Sequence, residues 1–155
     1  MTTPRRHLLE ALRHYALSYQ ESTRELARRM DLPTVDGTAL GEILWAEYDG
    51  APLSPGRLST RVGLTSGATN ALVNRLEALG LVSRSRESDD RRVVTLRTTE
   101  VARERAAVFL DPSAAALEAA LDEYDDVTLE TVGSVLVRLA AVLPGIDQDG
   151  ARHPR

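Results

Sequence analysis

The sequence contains no cysteine, which excludes disulfides, zinc–thiolate sites and thiol redox switches. It contains no lysine either, because all 19 basic residues are arginine; a codon preference for G and C accounts for that without any functional meaning. No apolar run approaches the roughly 20 residues that a membrane-spanning helix requires. Met1 to Arg6 leads into an amphipathic pattern rather than the apolar core of a signal peptide, so a soluble, cytoplasmic protein is expected. Motifs of catalysis are missing as well: there is no G-x-S-x-G, no phosphate-binding glycine loop, no H-E-x-x-H and no cysteine nucleophile. Glutamates and histidines stand singly on helical faces, so no catalytic constellation forms and an enzyme is not expected. At 155 residues the chain can bury a real core without covalent staples.

What is present is an uneven distribution of charge. The chain carries a net −4, yet the stretch from Ser54 to Thr98 holds eight arginines against four acids. That stretch is therefore +4 and the remainder −8, so positive charge is segregated where a phosphate backbone would need it. Arg57, Arg84, Arg86 and Arg91 are candidates for such contacts, and Ser54 joins them at the head of the same stretch.

Periodicity divides the chain into helices and one hairpin. Leu8, Leu12, Tyr15, Tyr19, Leu26 and Met30 recur at helical steps from about Arg5 to Met30, and Asp31-Leu32-Pro33 closes that helix. It is too long for a small core alone and could pack partly on another subunit. His7, Glu10 and His14 share a face of it in a spacing that suits a divalent metal, although solvated helix residues fit the spacing better. A second helix, from Thr34 or Thr38 to about Tyr48, turns Leu40, Ile43, Leu44 and Trp45 inward, with Gly37 and Gly41 weakening its first turns.

Ser54-Pro55 is a hydroxyl cap followed by proline at the first helical position. Gly63 ends this third helix, and Thr65 caps a fourth that runs from Ser66 to about Leu79 before Gly80. Two helices joined by about three residues including glycine have helix-turn-helix spacing. Leu72, Val73, Leu76 and Leu79 make the inner stripe of the fourth helix. Its outer face carries Ser66, Gly67, Ala68, Asn70, Ala71, Asn74 and Arg75. No charge occurs from Thr65 to Asn74, whereas plain solvated faces are usually studded with it. Small residues let a helix approach closely, and Asn and Arg can each make paired hydrogen bonds to base edges in a major groove. Residues 81–85 and 93–97 alternate as strands around a polar tip, R-E-S-D-D-R-R. Asp89 or Asp90 could brace an arginine there for insertion into a narrow minor groove.

Beyond Glu100, Val101, Val108, Phe109, Leu117 and Leu121 mark a helix that Pro112 is expected to kink or break. The acids at 122–126 could hold a cation, but a solvated turn capping the next helix is the better account. The last helix, near Val127 to Leu143, lines up Leu129, Val132, Leu136, Leu139 and Leu143. That stripe is either a dimer contact or intramolecular core. Residues 144–155 have no pattern and read as a flexible tail.

With these residues in place, Leu53 to Glu100 resembles the MarR family of bacterial transcription regulators. The likeness lies in L-S-x-x-x-L-S-x-R-V-G-L-T, in V-N-R-L-E-A-L-G-L-V and in the wing D-D-R-R. Flanking helices extend it over about Arg5 to Leu143. The resemblance implies a mainly α fold with a small β-hairpin: one domain over 5–143, with a winged helix-turn-helix lobe (34–99) between dimerisation helices (5–30 and 100–143). It implies a homodimer on a palindromic operator of double-stranded DNA. Family members mostly repress and often release DNA on binding small aromatic or phenolic effectors. By position, Arg92 resembles the wing arginine that enters the minor groove and Asp90 its brace, while Thr65, Ser66, Gly67, Asn70 and Asn74 fall on the recognition face. Ala71 departs from the arginine of many relatives, and Thr98 from a usual leucine. His14, Tyr15, Tyr19, Trp45 and Phe109 are candidates for an effector site where the first, second and fifth helices would meet; rings at such spacing are as readily core. No cofactor or metal is implied. A winged-helix module for protein interaction, with no operator of its own, is the competing reading.

Overall fold

The computed structural model describes residues 3–86 and 94–143. In chain order it comprises α1 (Thr3–Arg29), α2 (Thr34–Tyr48), α3 (Pro55–Val62), α4 (Ser66–Ala78), β1 (Val82–Ser85), β2 (Thr95–Thr98), α5 (Glu100–Leu121) and α6 (Asp126–Ala140). One compact unit extends to Phe109 and a second begins at Leu110. The mainly α architecture with a single hairpin agrees with the sequence reading, as do the ends of most elements to within a residue or two.

The core of the first unit is built by α2, α3, α4 and the hairpin. Leu40, Ile43, Leu53, Leu58, Leu72, Leu76, Leu81 and Leu96 are all fully buried there. The strands pair antiparallel, with Val82 opposite Thr98 and Ser85 opposite Thr95. The Leu96 amide also donates to the Leu53 carbonyl at 2.8 Å, so the segment entering α3 is tied to the root of the wing. From α5, Ala102 and Ala106 pack into the same unit, and the Arg105 guanidinium donates to the Met30 carbonyl at 3.2 Å.

Local chemistry sets the ends of the helix-turn-helix. Ser54 Oγ accepts from the Arg57 amide and Thr65 Oγ1 from the Ala68 amide, so both helices begin on side-chain caps that satisfy otherwise orphaned donors. Gly63, at φ +67°, adopts a left-handed turn that a β-carbon would strain, and the chain reverses directly into α4.

The close of α1 at Asp31-Leu32-Pro33 is as expected, the reversal itself being made by Asp31 at φ +55°, with the Leu32 amide bonding the Ala27 carbonyl at 2.9 Å. Several expectations need correction. Gly37 does not merely weaken α2. A β-carbon there would sit 2.3 Å from the Ala27 β-carbon, so this glycine is what lets α1 and α2 cross closely. Trp45 is not inward, and along α1 only Leu26, Ala27 and Met30 are buried while Leu8, Tyr15 and Tyr19 are exposed. Helix α5 is neither broken nor ended at Pro112. Proline leaves the Val108 carbonyl without its helical donor, and Val108 is exposed, so solvent can satisfy that carbonyl. In the second unit Asp125 caps α6 by accepting from the Thr128 amide at 2.8 Å. That bond and the Thr128 hydroxyl hold its carboxyl below the usual range, which agrees with a capped turn over a cation site. Among the described residues no three His, Asp or Glu side chains converge on a metal position, and no described helix is long and apolar enough to cross a membrane.

Candidate nucleic-acid interface

Helix α4 presents two unlike faces. Thr69, Leu72, Val73 and Leu76 are buried, whereas Ser66, Gly67, Ala68, Asn70, Ala71, Asn74 and Arg75 are exposed. Thr69 lies beside the inner stripe, its hydroxyl donating to the Thr65 carbonyl at 3.0 Å. At Gly67 no atom lies within 4 Å of where a β-carbon would be, so nothing inside the protein demands glycine there. The exposed end of α4 thus combines free helix amides, small side chains and one uncommitted amide, Asn70.

Two ion pairs fix this helix in the lobe. Arg75 donates from Nε and Nη2 to the two oxygens of Asp36, at 2.9 and 2.7 Å. Asp36 is 2% exposed, and its hydrogen bonds hold the Arg75 guanidinium charged, above its ordinary value. A buried carboxylate is tolerated only with such partners, so the fork of Arg75 is committed to α2. Arg84, at the root of the wing, is committed in turn to Glu77 of α4, whose carboxylate accepts from both its guanidinium and its backbone amide. The same guanidinium donates from Nη2 to Asn74 Oδ1 at 3.0 Å. The hairpin's other strand is anchored by Glu47, which accepts from the Thr98 amide at 3.2 Å and from the Thr98 hydroxyl. A leucine at 98 would keep the amide but remove the hydroxyl donor from that carboxylate, which gives the threonine a physical reason.

Of the sequence-derived contacts, Ser54, Thr65, Ser66, Gly67, Asn70 and Asn74 lie at the starts and along the outer face of the two helices. Arg57 and Arg86 are exposed. Arg75 and Arg84 are brought instead into the ion pairs above. Asp90, Arg91 and Arg92 fall outside the described residues. Asp36, Glu77 and Glu47 were missed; Asp36 and Arg75 are 39 positions apart, so no local spacing signals the pair.

The aromatic candidates do not share one contact. Tyr15 stacks on Tyr19 with centroids 6.5 Å apart, Trp45 meets Tyr48 edge-on at 6.0 Å, and Phe109 lies under the Arg29 guanidinium at 4.9 Å. His14 is exposed. Although Tyr19 is exposed overall, partial burial of its hydroxyl, with Glu42 and then Tyr15 nearby, pushes that group up, and Glu42 in turn pairs with Arg61 of α3 at 3.1 Å.

Residues 42–93 match the family model described as the MarR family, over the helix-turn-helix whose caps, turn and wing root are set out above. Over this third of the chain the likeness is to the MarR family. A curated relative, the uncharacterised HTH-type transcriptional regulator YcgE of Bacillus subtilis, is 27% identical over 95 residues, or 61% of this chain. The match spans 62% of that relative's length. Solved structures of similar fold cover more of the chain. Staphylococcus aureus MepR in its DNA-binding conformation is similar with a TM-score of 0.63 at 14% identity, covering 86% of this chain and 96% of MepR. The regulator BldR of Sulfolobus solfataricus is similar with a TM-score of 0.54 at 25% identity, covering 89% of this chain and 99% of BldR.

Proposed function

We propose that this chain is a transcription regulator of the MarR family that binds a palindromic operator as a homodimer, acting as a repressor. The observation that carries the reading is the outer face of α4: exposed, free of charge from Thr65 to Asn74, and held by two ion pairs on a rigid lobe. Such a helix enters a major groove with its N-terminal amides near phosphate and its amide side chains on base edges. Ser54, Arg57, Arg86 and Arg91 bind phosphate, Asn70 and Asn74 read bases, and Arg92 with Asp90 forms the minor-groove contact of the wing. The likeness to a MepR structure described as a DNA-binding conformation supports the same use of the lobe.

Release by a small aromatic or phenolic effector completes the proposal, with His14, Tyr15, Tyr19, Trp45 and Phe109 as its contacts. What supports it is proximity: Tyr19 feels Glu42, and Glu42 pairs with α3, so a ring seated on Tyr19 would press on the helix that leads into α4.

The test is a gel shift with the duplex flanking the gene itself, repeated over a salt series with Asn70→Ala. Wild type is expected to bind with affinity falling steeply as salt rises, and Asn70→Ala to lose discrimination between this duplex and a scrambled one. Absence of a shift at low salt would remove the reading in favour of a protein-interaction module.

A further inference from the structure

The contact between Arg84 and Asn74 constrains what Asn74 can read. A guanidinium has only donors, so the atom of Asn74 that faces Arg84 Nη2 at 3.0 Å must be the carbonyl oxygen. Arg84 cannot swing away freely, because Glu77 of α4 holds both its guanidinium and its backbone amide. The clamp is thus closed within the lobe before any partner arrives. Asn74 itself is exposed, and none of the described residues accepts from its Nδ2. Asn74 therefore offers two N–H donors, with one of the two lone pairs of its Oδ1 engaged and a guanidinium beside the other.

An unconstrained asparagine recognises adenine by accepting from N6 and donating to N7. With one Oδ1 lone pair taken and a donor-only guanidinium 3.0 Å away, an adenine amino group meets a competing donor at the same oxygen, so that pairing is disfavoured at Asn74. Two free donors beside a guanidinium are better matched by a base edge with two adjacent acceptors, and in the major groove that edge is guanine, through N7 and O6. We propose that the Glu77–Arg84 clamp sets the specificity of Asn74, making it a reader of a G·C pair, while Asn70 keeps both halves of its amide for other edges. Glu77 and Arg84 are then positioning residues, and Arg84 is not a phosphate contact. This inference rests on the proposed operator binding.

Selection from a fully randomised duplex pool tests both, with wild type, Asn74→Ala and Arg84→Met carried in parallel and their melting temperatures measured. Wild type is expected to enrich one motif; enriching none would overturn the DNA reading itself, and this inference with it. Asn74→Ala is expected to lose preference at one base pair per half-site, by about tenfold, and that pair in the wild-type motif must be G·C. An A·T pair there, or a motif unaffected by Asn74→Ala, would overturn the clamp's role while leaving operator binding intact. Arg84→Met frees the carbonyl and is expected to shift the same position toward A·T; an unchanged G·C in a variant that melts like wild type would also overturn it. Should Arg84→Met fail to fold, the identity of the pair lost in Asn74→Ala still decides.

Discussion

Arginine at two positions shows how far a residue's chemistry outruns its type. Arg75 and Arg84 sit on a positively charged stretch and on or beside the outer face of α4, and composition alone assigns both to nucleic acid. Each instead satisfies a carboxylate, Asp36 or Glu77, and so fixes the helix that carries the uncharged face. Gly67 is the opposite case, a residue the protein's own packing does not require. Alanine in its place gains helix propensity, so Gly67→Ala is expected to raise stability by up to about 1 kcal/mol in a denaturant titration. If α4 lies deep in a groove, the added methyl meets the partner and affinity for the flanking duplex falls. Tighter or equal binding by a stabilised Gly67→Ala would place the closest approach elsewhere on the helix.

At the scale of elements, the crossing of α1 over α2 depends on one missing side chain. A methyl on Gly37 would overlap Ala27 at 2.3 Å, and Ala27 is buried among helical backbone that cannot yield easily. Gly37→Ala is therefore expected to destabilise by about 1–3 kcal/mol or more. Ala27→Gly in the same chain should recover part of that loss, and a thermal-melt cycle with no coupling between the two would mean that the helices separate differently. This crossing also marks where the sequence was legible and where it was not. Caps and stops are local: Ser54, Thr65, Gly63 and Asp125 act within three or four residues, so their spacing could be read directly. The same holds for Leu72, Val73 and Leu76 of the inner stripe of α4, which are buried, but not for Leu79, which lies at the helix's C-terminal cap and is exposed. Gly37 read as weakness because its reason lies on another helix. The candidate reading face was visible as composition, but the pairs that orient it join residues far apart in sequence, and only the fold brings them together.

The molecule as a whole carries apolar surface that a single chain leaves uncovered. Leu8, Leu9 and Leu17 of α1 are exposed, α6 has no buried residue, and Val132 and Leu136 are 49% and 41% exposed on its stripe. A helix of 15 residues is marginal in water unless an amphipathic face is packed, and stripes of this kind mark association surfaces. Covering them with a second copy would also serve the operator proposal, since two lobes joined rigidly bind two half-sites with one loss of translational freedom. Leu136→Glu puts a charge into that surface without disturbing the core of the first unit. Sedimentation is expected to show wild type as a dimer and Leu136→Glu as a monomer whose first unit still melts cooperatively, with wild-type Tm rising with protein concentration and the variant's not. Operator affinity should then drop far more than binding to a single half-site duplex. A variant that stayed dimeric with undiminished affinity would show that α6 is covered by something other than its own counterpart, and the pairing of lobes would have to rest on the exposed leucines of α1.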